Sequence, residues 1–435
     1  MRILDWRRAG ETERREALRR PALRDAAAVD AAARAIIDAV RRDGDEALRE
    51  FTRRFDGARL DALRASAAEF AAAERELGAD AIAAIDTAIE NVRGFHAAQA
   101  APPVVVETEG VRCERRTVPI GAVGLYVPAG SAPLPSTAIM LAVPAAIAGC
   151  PVRVICTPPR PDGLGPAAVL VAARRAGVDA VFKVGGAQAI AAMAYGTESV
   201  PKCDKLFGPG NAWVTAAKLL VAADPAGAAA DLPAGVTEVL IVADASARAD
   251  FVAADLLAQA EHGVDAQALL VTDAPALATA VAGEVERRRG ALSRGAILAG
   301  SIPHMRAIVV ESIGAAIEVA NTYAPEHLLL QVREPRAWLD SVRNAGAVFL
   351  GHWSPESVGD YCAGPNHTLP TYGYARSHSG LGLEDFQKRI TVQELGPAGL
   401  RRLADATRTL AALEGLDAHA AAVTVRLEAL EAARG

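Results

Sequence analysis

Two sequential α/β modules with doubly wound parallel sheets are the fold class this chain predicts, and three observations predict it. Short apolar, β-branched runs alternate with helical patterns: V-R-V-I-C-T (152–157), V-D-A-V-F-K-V (178–184) and C-D-K-L-F-G (203–208), the signature of βαβ units. The alternation then starts afresh with E-V-L-I-V-A-D (238–244), A-Q-A-L-L-V-T-D (266–273), A-I-V-V (307–310), H-L-L-L-Q-V (327–332) and A-V-F-L-G (347–351). Finally, 435 residues with 51% hydrophobic and 23% charged side chains give room for more than one domain and a large core. Both modules are expected to be Rossmann-like.

Helical patterns flank this core. Residues 1–105 are rich in Ala, Arg and Glu, with apolar residues at helical spacing. The stretch 32–57 reads as two helices, with Gly44 as the stop of the first and Gly57 of the second. The first module is expected over 106–235 and the second over 236–380, with the seam near D-L-P-A-G-V (231–236). Residues 381–435 read as a C-terminal helical tail. The terminal segments look too thin to fold alone, and burial against a second subunit is the expected solution.

Several function classes are excluded. Net charge is -6 and no basic block stands out, so no nucleic-acid partner is expected. Five cysteines without a C-x-x-C motif fit a reduced, cytoplasmic protein. The start M-R-I-L-D-W-R-R has no apolar signal region, and no long uncharged apolar run occurs, so no membrane span is expected.

The polar residues worth following sit at the ends of apolar runs. Gln259 and His262 in L-L-A-Q-A-E-H-G are three apart, a spacing that puts them on one helical face. They can hold one metal, or His262 can simply interact with the helix C-terminus. Glu326 and His327 open the run A-P-E-H-L-L-L. They read as a water activator and a general base, or as a polar loop edge. A parallel sheet places ligands at strand carboxyl ends, and this pair stands at a strand start. Asp360 and His367 bracket Y-C-A-G-P-N, a loop that would present a carboxylate and an imidazole. His419 lies in an Ala-rich helix, five positions from Glu414, and only a break at Gly415 would align the two. K-V-G-G-A-Q-A-I and L-F-G-P-G-N-A-W-V each end a strand and open a helix, where backbone N–H groups can meet a ligand. Neither is G-x-G-x-x-G. Tyr126 ends a strand in G-L-Y-V-P-A-G-S-A-P-L-P-S-T, where it would stack on a ring or serve the core.

Taken in order, these strings resemble the histidinol dehydrogenase family over nearly the whole chain. The likeness runs from V-R-R-D-G-D-E-A-L-R-E-F through K-V-G-G-A-Q-A-I-A-A-M-A-Y-G-T and F-G-P-G-N to G-P-N-H-T-L-P-T and E-G-L-D-A-H. The resemblance implies oxidation of L-histidinol through L-histidinal to L-histidine, a four-electron change using two NAD, in the last steps of histidine biosynthesis. It implies one zinc per subunit, with Gln259, His262, Asp360 and His419 matching the ligands. It also implies a homodimer in which the tail carrying Glu414 and His419 reaches the neighbouring subunit. His327 matches the general base and Glu326 the residue that activates water. His367 and Glu414 match substrate contacts, and Thr237, His327 and the four ligands line the same substrate site. Tyr126, Gln188 and Asn211 match NAD contacts. The chain departs from the family at A-G-V-T-E-V-L: the usual P-S-E is V-T-E, with Val236 and Thr237 replacing Pro and Ser. Thr keeps the hydroxyl and adds a methyl. The alternative reading is a related NAD- and zinc-dependent dehydrogenase for another small amino or sulfonated alcohol.

Overall fold

The computed structural model describes residues 1–21, 26–129, 132–178 and 180–433. In chain order its strands are β1 (Arg2–Asp5), β2 (Val104–Thr108), β3 (Val111–Pro119), β4 (Ala122–Tyr126), β5 (Val152–Cys156), β6 (Val181–Phe182) and β7 (Lys205–Phe207). They continue as β8 (Ala229–Ala230), β9 (Glu238–Ala243), β10 (Gln267–Thr272), β11 (Arg306–Val309), β12 (His327–Gln331), β13 (Ala347–Leu350) and β14 (Gln387–Leu395).

Two parallel sheets carry the first compact unit, Met1–Gln99 with Ile120–Phe386. One has the order β6-β5-β4-β7-β8 and the other β1-β11-β10-β9-β12-β13. In each the module's first strand, β4 or β9, is central, and the chain winds outward on one side before crossing to the other. This is the doubly wound pattern, 3-2-1-4-5, repeated twice. The change from one sheet to the other falls between Ala230 and Glu238. Central strands are buried on both faces: every residue of β9, β10 and β12 is buried. That is why they read as unbroken apolar runs and not as an alternation.

The N-terminal helices serve the first module. Ala26–Phe55 packs on the helices Gly186–Tyr195 and Ala212–Ala222, while Ala67–Ala97 packs on Pro135–Ala148 and Ala167–Arg175. Each face of the first sheet thereby gains a covering helix and its own apolar cluster. Gly44 breaks the first helix with φ 52° and ψ -130°, and the Asp45 N–H there bonds the Glu198 carboxylate. A side chain at Gly44 would strike that carboxylate.

Only helices were expected before residue 105, and two strands correct this. Arg2–Asp5 forms β1, which extends the second sheet beside β11, pairing Arg2 with Arg306 and Asp5 with Val309. Four residues are too few to show a period of two in a sequence. Val104–Thr108 forms β2. The segment 381–435 likewise holds a strand, β14, after a short 3-10 helix at Leu383–Phe386 and before its two long helices.

The second unit comprises Ala100–Pro119 and Gln387–Gly435. Its sheet, β14-β3-β2, is antiparallel, followed by the helices Pro397–Leu413 and Asp417–Ala432. The helices meet at Gly415, whose φ of 67° makes the break. Taken by itself, this unit leaves Val105, Val106, Ile390, Leu410, Leu413 and Val425 exposed. No helix among the described residues is long and apolar enough to cross a membrane.

Candidate active site

A polar cluster gathers at the amino edge of the second sheet. β9 starts at Glu238 with Thr237 just before it, and β12 starts at His327 with Glu326 just before it. The helix Ala249–Ala260 runs back from the far edge of the sheet and delivers Gln259 in its last turn. His262 lies just beyond that helix and not on its face: Glu261 caps it, and the His262 N–H turns back to the Gln259 carbonyl at 3.3 Å. Asp360 sits on the short helix Glu356–Tyr361, where a loop was expected, and His367 follows on the loop. That loop is anchored by Asn366, whose amide donates to the Met140 carbonyl in the first module at 2.7 Å.

The distances form a continuous chain of contacts. Thr237 Oγ1 donates to Glu326 Oε2 at 2.7 Å, and the Glu238 N–H donates to the same oxygen at 2.9 Å. His327 Nδ1 lies 3.3 Å from the Glu238 carbonyl, 3.6 Å from Glu326 and 3.7 Å from Glu356. His327 Nε2 faces Asp360 Oδ1 at 3.5 Å and has no hydrogen-bond partner. The cavity lined by His327, Phe349, Gly359, Asp360 and His367 opens here, and the His367 Nε2 is also buried and unpartnered.

Two orientations of the Gln259 amide satisfy different neighbours. With its nitrogen toward Thr237 it donates to that hydroxyl at 2.7 Å, and its oxygen then confronts the Glu356 carboxylate. With its nitrogen toward Glu356 it donates to that carboxylate at 2.5 and 3.2 Å. The second orientation removes the clash of acceptors that the first leaves, and its oxygen then accepts from the Glu238 N–H at 3.1 Å.

Burial and charge set the protonation of the group. Glu326 is pushed up to about 7 by burial, with His327 pulling the other way. Glu356 is raised to about 8, again by burial. Burial alone would lower His327, but Glu356, Glu326 and Asp360 outweigh it and hold the imidazole well above its ordinary range. Burial opposes ionisation of Asp360 too, yet His327 beside it keeps that carboxyl below its usual value.

The donor set fits a metal ion. Ligand atoms of His262, Glu356 and Asp360 all lie within 4.8 Å of one another, with Glu356 buried and His262 exposed. Glu238, Asp255, Glu326 and Glu356 are all buried in this region, an excess of carboxyls that His327 and Arg20 do not balance. Burial relieves part of this excess by raising Asp255, Glu326 and Glu356 toward their protonated forms, and a bound cation would relieve the rest. Glu356 is the residue the sequence reading missed. It stands four positions before Asp360 in S-P-E-S-V-G-D, the spacing of one helical face.

The residues expected to meet a dinucleotide lie elsewhere, at the carboxyl edge of the first sheet. Tyr126 ends β4, is buried, and its hydroxyl accepts the Gly186 N–H at 3.1 Å. Gln188 stands in the first turn of Gly186–Tyr195, buried, with its Oε1 unpartnered. Asn211 caps Ala212–Ala222 by accepting the Val214 N–H at 3.1 Å. Gly208 has φ 121°, and a Cβ there would fall 2.2 Å from the Tyr126 carbonyl. Two helix N-termini and an orphaned amide at strand carboxyl ends fit a dinucleotide. Glu414 and His419 belong to the second unit. Glu414 caps the helix Pro397–Leu413, His419 lies in the first turn of the next, and both are exposed.

Residues 18–427 match the family model for histidinol dehydrogenase. The histidinol dehydrogenase of Xanthomonas oryzae pv. oryzae is 53% identical over 428 residues, covering 98% of this chain and 99% of that protein. The Escherichia coli enzyme is 51% identical over 432 residues, covering 99% and 98%. The crystal structure of histidinol dehydrogenase from Elizabethkingia anophelis superposes with a TM-score of 0.93 at 41% identity, covering 99% of both chains. The chain belongs to the histidinol dehydrogenase family.

Proposed function

We propose that this protein is the zinc-containing, NAD-dependent enzyme that oxidises L-histidinol through L-histidinal to L-histidine. The carrying observation is the amino-edge cluster, in which an unpartnered His327 Nε2 and a buried Glu326 stand beside a metal-type donor set. Gln259, His262, Asp360 and His419 would hold the zinc, His419 coming from the second subunit of a homodimer. Zinc bound there would grip the nitrogen donors of histidinol and orient its alcohol.

Each residue then has a task. His327 Nε2 takes the hydroxyl proton as hydride leaves for NAD; a cation bound beside Glu356 and Asp360 would offset the carboxylates that otherwise hold the ring protonated, leaving that nitrogen free to accept. Glu326, raised to about 7 by burial, draws a proton from the water that adds to the aldehyde. The hydrated aldehyde then gives its hydride to a second NAD and its hydroxyl proton to His327, which has by then released the first proton to solvent. Thr237 holds Glu326 in place, while His367 and Glu414 contact the substrate. Tyr126, Gln188 and Asn211 form the NAD site at the carboxyl edge of the first sheet. The apolar surface of the second unit supports the shared site, since in a dimer the tail of one protomer would cover its neighbour. The free cysteines suit a cytoplasmic enzyme.

The test is to count NADH formed per L-histidinol consumed with zinc present. A ratio near two supports the reading. A ratio near one, or turnover of a different alcohol only, overturns it.

A further inference from the structure

Glu326 and His327 share one anchor. The N–H of Glu238 donates to Glu326 Oε2 at 2.9 Å, and the carbonyl of Glu238 lies 3.3 Å from His327 Nδ1. The main chain of a single residue therefore sets both the carboxylate and the ring. A hydrogen bond on Nδ1 also leaves Nε2 facing the cavity.

Glu238 is itself fastened. Its side chain is 2% exposed. Arg20 grips both carboxylate oxygens, Nε to Oε2 at 2.5 Å and Nη2 to Oε1 at 2.8 Å. The Tyr323 hydroxyl lies 3.0 Å from Glu238 Oε2 and 2.8 Å from Gln267 Oε1. Arg20 Nη2 also donates to the Tyr323 carbonyl at 2.9 Å, and its guanidinium lies 3.9 Å from the Tyr323 ring centroid. Gln267 closes the network by donating to the Arg19 carbonyl at 3.0 Å. A forked, two-point ion pair is the most direction-specific polar contact available to a side chain. A buried ion pair is also a poor source of stability compared with apolar packing. Its use at the start of β9 makes sense as alignment.

We propose that Glu238, locked by Arg20 and Tyr323, is a positioning residue for the acid–base pair Glu326 and His327. The proposal rests on the functional reading above. None of the three side chains lines the cavity, so they act through the β9 main chain. A displacement of Glu238 would loosen both contacts together, and small misplacements of catalytic groups are costly in rate.

The experiment compares Arg20→Met, Glu238→Gln and the double variant R20M/E238Q with the wild type. The double variant strands no buried charge, so it remains informative if R20M alone does not fold. In R20M and the double variant kcat is expected to fall by about tenfold or more, with both KM values within about threefold and the zinc content unchanged. Glu238→Gln keeps one acceptor for Arg20 and is expected to fall between them and the wild type. Wild-type kcat in a folded R20M or double variant would overturn the proposal, as would a rise in KM at constant kcat. Imidazole 15N NMR of His327 separates this from the functional reading. The hydrogen-bonded Nδ1–H signal should be present in the wild type and lost in the double variant whichever alcohol is the substrate. An unchanged signal in the double variant sinks the proposal even if NADH is formed.

Discussion

Replacing Thr237 by valine removes one hydroxyl and almost no volume. In the structure that hydroxyl donates to Glu326 Oε2 at 2.7 Å and contacts the Gln259 amide, also at 2.7 Å. The substitution leaves Glu326 Oε2 with the Glu238 N–H as its remaining donor and deprives Gln259 of a partner. A hydrogen bond to a charged group contributes about 1.5–3 kcal/mol. At about 1.4 kcal/mol per factor of ten, the step that uses Glu326 should slow by roughly 10- to 100-fold. Losing a donor to the carboxylate also raises its pKa further. Glu326 already titrates at about 7 because of burial, so the acidic limb of the rate–pH curve should move to higher pH. Thr237→Ser keeps the hydroxyl and should stay within about threefold of the wild type. The assay is the initial rate of NADH formation from L-histidinal, the substrate of the second oxidation, measured across pH. If T237V oxidises L-histidinal within about twofold of the wild type, with the same pH profile, the chain Gln259–Thr237–Glu326 does not do what is claimed.

Other expectations concern the metal, the tail and the core. His262→Ala and Asp360→Asn should each lower bound zinc, read by elemental analysis after gel filtration, to less than about half of the wild-type amount. Mixing His419→Ala with Glu326→Gln chains, each inactive alone, should restore about a quarter of wild-type activity, because half the dimers are mixed and each holds one intact site; a tail that acts within its own chain would give none. Asp255 is buried under Gln331, and burial lifts its carboxyl to about 7. The native state favours its protonated form, so stability falls as pH rises from about 4 to about 7. Asp255→Asn should therefore raise stability by up to about 4 kcal/mol at pH 8 and have little effect near pH 4, read from urea unfolding midpoints.

How much of this was legible in the sequence depends on the range of the interaction. The central strands were readable because burial on both faces forces unbroken apolar runs, as in E-V-L-I-V-A (238–243) and H-L-L-L-Q (327–331). The breaks at Gly44 and Gly415 were readable because positive φ selects glycine locally. β1 was not, since its four residues become a strand only by pairing with β11, some three hundred positions away. Glu356 was hidden because its meaning depends on Gln259 and His327 arriving from other elements. The placement of the polar cluster at an amino edge was visible as a mismatch with the strand-end rule, because Glu326 and His327 open the apolar run that becomes β12. The carboxyl-edge position is filled in the first sheet by Tyr126, Gln188 and Asn211, while the second sheet uses its opposite edge. The Arg20–Glu238 pair joins residues 218 apart, and neither residue type nor spacing could announce it.

The proposed chemistry depends on where the cation sits. A crystal structure of the zinc-loaded protein with L-histidinol, read by anomalous scattering at the zinc edge, measures this directly. One zinc is expected about 2.0–2.2 Å from a Gln259 oxygen, a His262 ring nitrogen and an Asp360 oxygen, completed by His419 of the neighbouring protomer. Zinc held by Glu356 in place of Gln259, or bound away from this cavity, would contradict it.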